Sequence, residues 1–141
     1  MKVLTIVIVT MGLISLSFIN APSNSPEGIN FEDISFEEAL KKAKKQKKLI
    51  FVDAYAVWCG PCKWMDANTF REKEVGDAFN SEFINLKIDM EKGEGPELAR
   101  KYNVRAYPTL LLIDGDGKVV KRIVGMQKKD QLLSQVEEYI D

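Results

Sequence analysis

Leu49-Ile50-Phe51-Val52-Asp53-Ala54-Tyr55-Ala56-Val57-Trp58-Cys59-Gly60-Pro61-Cys62-Lys63 decides how the rest of this chain is read. Its first seven residues form an apolar run of strand length. A short run that is apolar on both faces suits a buried central strand. Pro61 then suits the first turn of a helix, where its missing N–H leaves no bond unmade. The two cysteines straddle that strand-to-helix junction. A thiol at a helix N-terminus faces unpaired N–H groups and the positive end of the helix dipole. Both favour a thiolate, so Cys59 is expected to have a lowered pKa and to be the attacking sulfur. Cys62 lies one turn further in, within disulfide reach, and is expected to be the more buried, resolving thiol. A bridge over two intervening residues removes little loop entropy, so redox cycling explains the pair better than structural stapling.

Working outward, Phe31 to Ile34 reads as a short strand. Ser35-Phe36-Glu37-Glu38 is a capping box that opens a helix with Phe36, Ala39, Leu40 and Ala43 on one face. Its lysine-rich end, Lys41 to Lys48, suits the negative end of the dipole and reads as a solvated face; an anionic membrane or acidic partner is the alternative. The helix after Cys62 is expected to break near Asn68-Thr69, and a second helical stretch covers Lys73 to Phe79. Phe83 to Asp89 reads as a strand, Glu91 to Gly95 as a loop, and Pro96 starts a helix through Tyr102. The carboxylates of Asp89 to Glu94 lack calcium-loop spacing and read as solvated. Thr109 to Ile113 and Val119 to Ile123 are strands joined by the hairpin turn Asp114-Gly115-Asp116-Gly117. Leu132, Leu133, Val136, Tyr139 and Ile140 fall at helical spacing. This order predicts an α/β domain, a mixed sheet with helices on both faces.

Composition narrows the chemistry. The 141 residues fit one domain, and the net charge is −1. Near neutrality argues against a nucleic-acid partner, which needs a basic excess. There is no histidine, so Ser-His-Asp and Cys-His catalysis and His-containing zinc sites are excluded. Two cysteines cannot build a four-cysteine zinc site within one chain. No metal and no cofactor are expected.

The first residues carry a targeting pattern. Lys2 precedes the uncharged run Val3 to Ile19, then Asn20-Ala21 and Pro22-Ser23-Asn24-Ser25-Pro26. Residues 1–21 read as a secretory signal cut after Ala21, with an uncleaved membrane anchor as the rival. Residues 22–29 read as a linker and 30–141 as the domain. Either fate of the signal puts the domain outside the cytoplasm, and contact with a membrane is expected only through an uncleaved N-terminal segment.

Trp58-Cys59-Gly60-Pro61-Cys62-Lys63 resembles the active-site motif of the thioredoxin family. Ala106-Tyr107-Pro108-Thr109 resembles its cis-proline loop, and Val124-Gly125 with the last amphipathic helix resembles its closing segment. The likeness covers about residues 30–140. Within the family, Asp53 to Cys59, Thr69-Phe70 and Leu86-Lys87-Ile88-Asp89 look most like the C-terminal domain of the bacterial periplasmic thiol:disulfide interchange reductase. The resemblance implies a thioredoxin fold. It implies Cys59 as nucleophile, Cys62 as resolving cysteine and Asp53 as a buried carboxylate shuttling a proton to or from Cys62. Trp58, Gly60, Pro61, Tyr107, Pro108 and Gly125 are implied to bind the substrate protein, with Pro108 cis. For Pro108 an ordinary trans turn is the alternative, and for Asp53 a strand-end carboxylate satisfied by backbone N–H groups. Three departures stand out. Asn85 holds the place of the family's buried lysine, so the Asp–Lys pair is expected to be absent. Tyr55 stands where many members have tryptophan. Tyr107 stands where a small β-branched residue is common.

The expected activity is therefore extracytoplasmic reduction of disulfides in partner proteins, with electrons resupplied by a membrane-embedded donor. The alternatives are a disulfide oxidase or isomerase, a haem-thiol reductase, and a non-catalytic binding module on the same fold.

Overall fold

The structure is a computed structural model, and it describes residues 27–141. The signal reading and most of the linker reading lie outside these residues. Among the described residues, no helix is long and apolar enough to cross a membrane.

Among the described residues, four strands form one sheet: β1 (Leu49–Tyr55), β2 (Phe83–Asp89), β3 (Thr109–Ile113) and β4 (Val119–Val124). Their spatial order is β2-β1-β3-β4. β1 pairs parallel with β2 and antiparallel with β3, and β3 pairs antiparallel with β4. The helices are α1 (Phe36–Gln46), α2 (Gly60–Ala67), α3 (Lys73–Glu82), α4 (Gly95–Lys101) and α5 (Lys129–Val136). Single 3₁₀ turns follow α2 at Thr69–Arg71 and α5 at Glu137–Tyr139.

Strand alternation divides the core in two. Ile50, Val52 and Ala54 of β1 join Leu86, Leu111 and residues of α1 and α4 on one face. Phe51 joins Leu110, Leu112 and residues of α2, α3 and α5 on the other, including Met65, Phe79 and Leu132. The same alternation puts Asp53 on the α2 face, two residues along from Phe51. The mixed sheet with helices on both faces is as expected.

One local expectation changes. Phe31 to Ile34 is not a strand. Glu32 N–H bonds the Asn85 carbonyl at 2.8 Å, but no ladder develops along β2. Side chains hold this segment instead. The Phe31 ring sits 5.5 Å from Phe70 and 6.4 Å from Phe51, and Glu32 pairs with Lys42. Just before it, Gly28 is buried, Ile29 N–H bonds the Phe70 carbonyl, and Asn80 bonds the Gly28 carbonyl. The stretch from Glu91 to Glu94 is a solvated loop as expected, with Glu91 and Glu94 exposed, but its carboxylates also make contacts that spacing does not predict. Glu94 accepts from Phe36 N–H at the start of α1, beside the Ser35–Glu38 capping box, and Glu91 accepts from Trp58 Nε1. Both contacts join residues dozens of positions apart in the chain, so local spacing does not show them.

Candidate active site

Cys59 is the N-cap of α2, with extended backbone (φ −75°, ψ 110°), and its Sγ accepts the Cys62 N–H at 3.2 Å. Pro61 occupies the first turn. The helix N-terminus is thus aimed at this sulfur, the arrangement that stabilises a thiolate once the bond is reduced. Cys59 and Cys62 are joined as a disulfide with Cα atoms 5.3 Å apart. They are 2% and 1% exposed. Both cysteines are buried in this oxidised state, with Cys62 expected from the sequence to be the more buried and differing from Cys59 by only one per cent. Their places at the helix cap distinguish them.

Around the disulfide, Ala56, Tyr55 and Tyr107 pack against the two cysteines. The Tyr107–Pro108 peptide is cis. The Tyr107 ring meets Trp58 edge-on, with centroids 5.8 Å apart. Trp58 is 65% exposed even though both Glu91 carboxylate oxygens hold its indole N–H at 3.0 Å. Gly125 N–H bonds the Pro108 carbonyl at 2.9 Å. Gly125 has φ +93°, and a Cβ there would enter open space, as it would at Gly60. Val57, Val124 and Met126 are exposed apolar neighbours. The residues singled out in the sequence from Trp58 to Cys62, and Tyr107, Pro108 and Gly125, are thereby brought to one end of the sheet.

Asp53 lies below this surface, fully buried on the α2 face. Lys87 Nζ donates to its Oδ2 at 2.8 Å, and Lys87 also pairs with Asp66 of α2. Asp53 Oδ1 has no hydrogen-bond partner among the described residues. The expected absence of an Asp–Lys pair is therefore corrected. In the parallel ladder Asn85 stands opposite Phe51, whereas Lys87 stands opposite Asp53. Asn85 and Lys87 share a face, and the lysine one step along supplies the charge. Its ammonium also sits 4.2 Å from the Tyr55 ring centroid. Burial pushes the Asp53 pKa up to about 6, against the pull of Lys87. Desolvation alone would lower the lysine's pKa, but Asp53 and Asp66 together hold it above its usual value. A cleft of about 400 Å³, lined by Glu27, Phe31, Asp66, Phe70 and Lys87 among others, gives Lys87 and Asp66 access to solvent while Asp53 stays sealed beneath them. From the sequence, Lys87 enters only as part of the stretch Leu86-Lys87-Ile88-Asp89, with no site role, and Asp66 does not enter at all. The alternation of β2 together with its register against β1 is the signal that identifies Lys87.

The family model described as a thioredoxin-like domain matches residues 36–140. The chain belongs to this thioredoxin-like family. It is 42% identical over 87 residues to Thioredoxin-2 of Pyricularia oryzae, covering 61% of this chain but only 46% of that protein. The chain therefore spans less than half the length of that relative. Among solved structures it is similar to one titled a putative disulphide-isomerase from Bacteroides thetaiotaomicron, at 51% identity and TM-score 0.71, covering 80% of this chain and 93% of that one. It is also similar to the reduced DsbD C-terminal domain of Neisseria meningitidis, at 27% identity and TM-score 0.61, covering 73% and 92%. In this thioredoxin-like protein Cys59-Gly60-Pro61-Cys62 is the redox motif, and its chemistry is thiol–disulfide oxidoreduction.

Proposed function

We propose that the protein reduces disulfides in partner proteins outside the cytoplasm. The observation that carries this reading is the Cys59 sulfur at the cap of α2, bonded to the Cys62 N–H and disulfide-linked to Cys62. In the cycle, the Cys59 thiolate attacks one sulfur of the partner's disulfide. A mixed disulfide forms, and the partner's other sulfur leaves as a thiolate. Cys62 loses its proton to Asp53 and attacks Cys59 Sγ, releasing the partner's second thiol. The partner has gained two electrons, and the protein holds the Cys59–Cys62 bond. A carboxyl near pH 6 with Lys87 beside it is suited to taking that proton at neutral pH. Trp58, Tyr107 and the open glycines Gly60 and Gly125 form the surface against which an extended partner segment lies, pairing with backbone next to Pro108.

The signal-like N-terminus supports export, and export requires electrons from outside the cytoplasmic thiol pool. A membrane-embedded dithiol donor meets that need. The Gly-Pro dipeptide resembles that of reducing thioredoxins, which sit at roughly −270 mV, against about −120 mV for a strong periplasmic oxidant. A second reading, disulfide isomerase, is favoured by the 51% identity to the structure carrying that title.

Equilibrating the Cys59–Cys62 pair in defined thiol buffers separates the two. A reduction potential near or below roughly −250 mV is expected for a reductase, and one between roughly −180 and −120 mV overturns that in favour of an isomerase or oxidase. A Cys62→Ser variant is expected to accumulate the mixed disulfide, since nothing then releases the partner. A variant that never traps a partner argues for a non-catalytic binding module.

A further inference from the structure

Beside the cis-proline loop, with Trp58 not among its lining, lies a small cavity of about 200 Å³. Asn103, Arg105, Ala106, Thr109, Arg122 and Val124 line it. Ala106 and Val124 immediately precede Tyr107 and Gly125, so the cavity continues the surface assigned to the partner. Both arginines are exposed, yet each is held by one bond. Arg105 Nε donates to Asn103 Oδ1 at 2.7 Å, and Arg122 Nη2 donates to the Tyr102 carbonyl at 2.6 Å. A guanidinium has five N–H donors, so each retains most of its capacity. Neither forms an ion pair among the described residues: the salt bridges there all use lysine.

The Trp58 side of Tyr107 carries the reverse charge: Glu91 holds the indole N–H of Trp58, whose ring meets Tyr107 edge-on. The docking surface is therefore polarised, with a carboxylate toward Trp58 and two under-used arginines beyond Ala106. An extended segment lying along it meets a field that runs from acidic to basic.

Resting on the disulfide-reducing reading above, we propose that Arg105 and Arg122 form a carboxylate-binding subsite. It selects partner segments that carry Asp or Glu two to four residues from the reactive cysteine. At about 3.3 Å per residue, that spacing spans roughly 7–13 Å of extended chain, and Arg105 stands only two residues before Tyr107, which packs on the disulfide. The planar, multi-donor guanidinium favours a carboxylate over a neutral amide at this place.

The test uses ten-residue peptides whose one cysteine is activated as a mixed disulfide with thionitrobenzoate. Residues two and four positions from the cysteine are both Asp, both Asn or both Lys, before the cysteine in one series and after it in the other. The reduced protein is mixed with each, and the second-order release of thionitrobenzoate is followed by stopped flow. In that step the Cys59 thiolate bonds to the peptide sulfur and thionitrobenzoate leaves with the electron pair. One series is expected to show the Asp peptide reacting about three- to tenfold faster than the Lys peptide, the size of one or two exposed charge pairs. The ratio is expected to fall toward one in Arg105→Gln/Arg122→Gln, and in the unaltered protein at high salt, where exposed charges are screened. Equal rates for all peptides overturn the subsite and leave the reducing reading standing, as does a preference that survives both the double variant and salt. Failure to react with any peptide overturns the reducing reading itself, and the subsite with it.

Discussion

Lys87 Nζ lies 2.8 Å from Asp53 Oδ2, and the two residues face each other across the parallel ladder between β2 and β1. One end of the pair is sealed in the core and the other borders a solvent-facing cleft that includes Asp66. The carboxyl sits where water cannot solvate its charge, yet its one bonded partner is in reach of solvent. Its protonation is thereby set by two opposed effects, burial and the ammonium, and four measurements follow from this and from the packing around the site.

The first concerns pH and stability. The folded-state pKa of Asp53 is raised from 3.8 to about 6. Between these values the folded protein keeps a proton that the unfolded chain has released. Its contribution is fully present below about pH 4 and is lost as pH rises through 6, a change of about 3 kcal/mol. Asp53→Asn abolishes this dependence. Urea unfolding of oxidised wild type and variant is expected to show the variant gaining, relative to wild type, roughly 2–3 kcal/mol more at pH 7.5 than at pH 4. A difference that does not change with pH removes the buried-carboxyl account.

Replacing Lys87 by Met keeps most of the apolar stem and deletes the charge. The Asp53 carboxyl then faces burial without its cation, so its pKa is expected to climb by about one unit or more above the wild-type value. Carbon-13 titration of the carboxyl reads this directly. An unmoved midpoint means that the ion pair does not set the protonation of Asp53.

Under the proposed function, Trp58 contributes to partner binding more than to the fold. Its ring is mostly exposed, touching Tyr107 edge-on and bonded to Glu91. Trp58→Ala is expected to change unfolding free energy by less than about 1 kcal/mol, because little buried area is lost. Partner affinity is expected to fall by about 2 kcal/mol, as for an aromatic anchor at an interface centre. Urea unfolding, and titration calorimetry of the Cys59→Ser/Cys62→Ser protein with a partner peptide whose cysteines are replaced by serine, compare the two; a large stability loss with intact affinity reverses the assignment.

Two glycines give opposite outcomes. A Cβ on Gly28 would lie 2.2 Å from the Phe70 carbonyl oxygen, at φ +94°, whereas one on Gly60 meets nothing within 4 Å. Gly28→Ala is expected to destabilise by more than about 2 kcal/mol, through backbone strain and a clash with main chain that cannot swing away. Gly60→Ala, in the first turn of α2, is expected to be neutral or stabilising by up to about 1 kcal/mol. Thermal melts of both settle the contrast, and a tolerated Gly28→Ala means that the 28–34 segment does not dock on Phe70 as described.

Much of the fold was legible because its signals are local. The run from Leu49 to Tyr55, apolar except for Asp53, announces a buried strand, Pro61 marks the first turn of α2, and Ser35 with Glu38 marks the start of α1. The cysteine pair, the Asp53 inside an apolar run, and the Tyr107-Pro108 loop are likewise visible in the order of residues. Phe31 to Ile34 was misread because it has strand-like apolar spacing but only one backbone bond to β2, so its side chains decide its path.

The sequence by itself determined the alternation of helices and strands, the dithiol at a helix start and the absence of histidine chemistry, because these depend on residue type and near-neighbour spacing. Only the tertiary structure decided that Lys87 rather than Asn85 meets Asp53, that Glu91 holds Trp58, and that Arg105 and Arg122 share a cavity. Each of those pairings joins residues far apart in the chain, and a shift of one residue in strand register would turn Lys87 to the other face of the sheet.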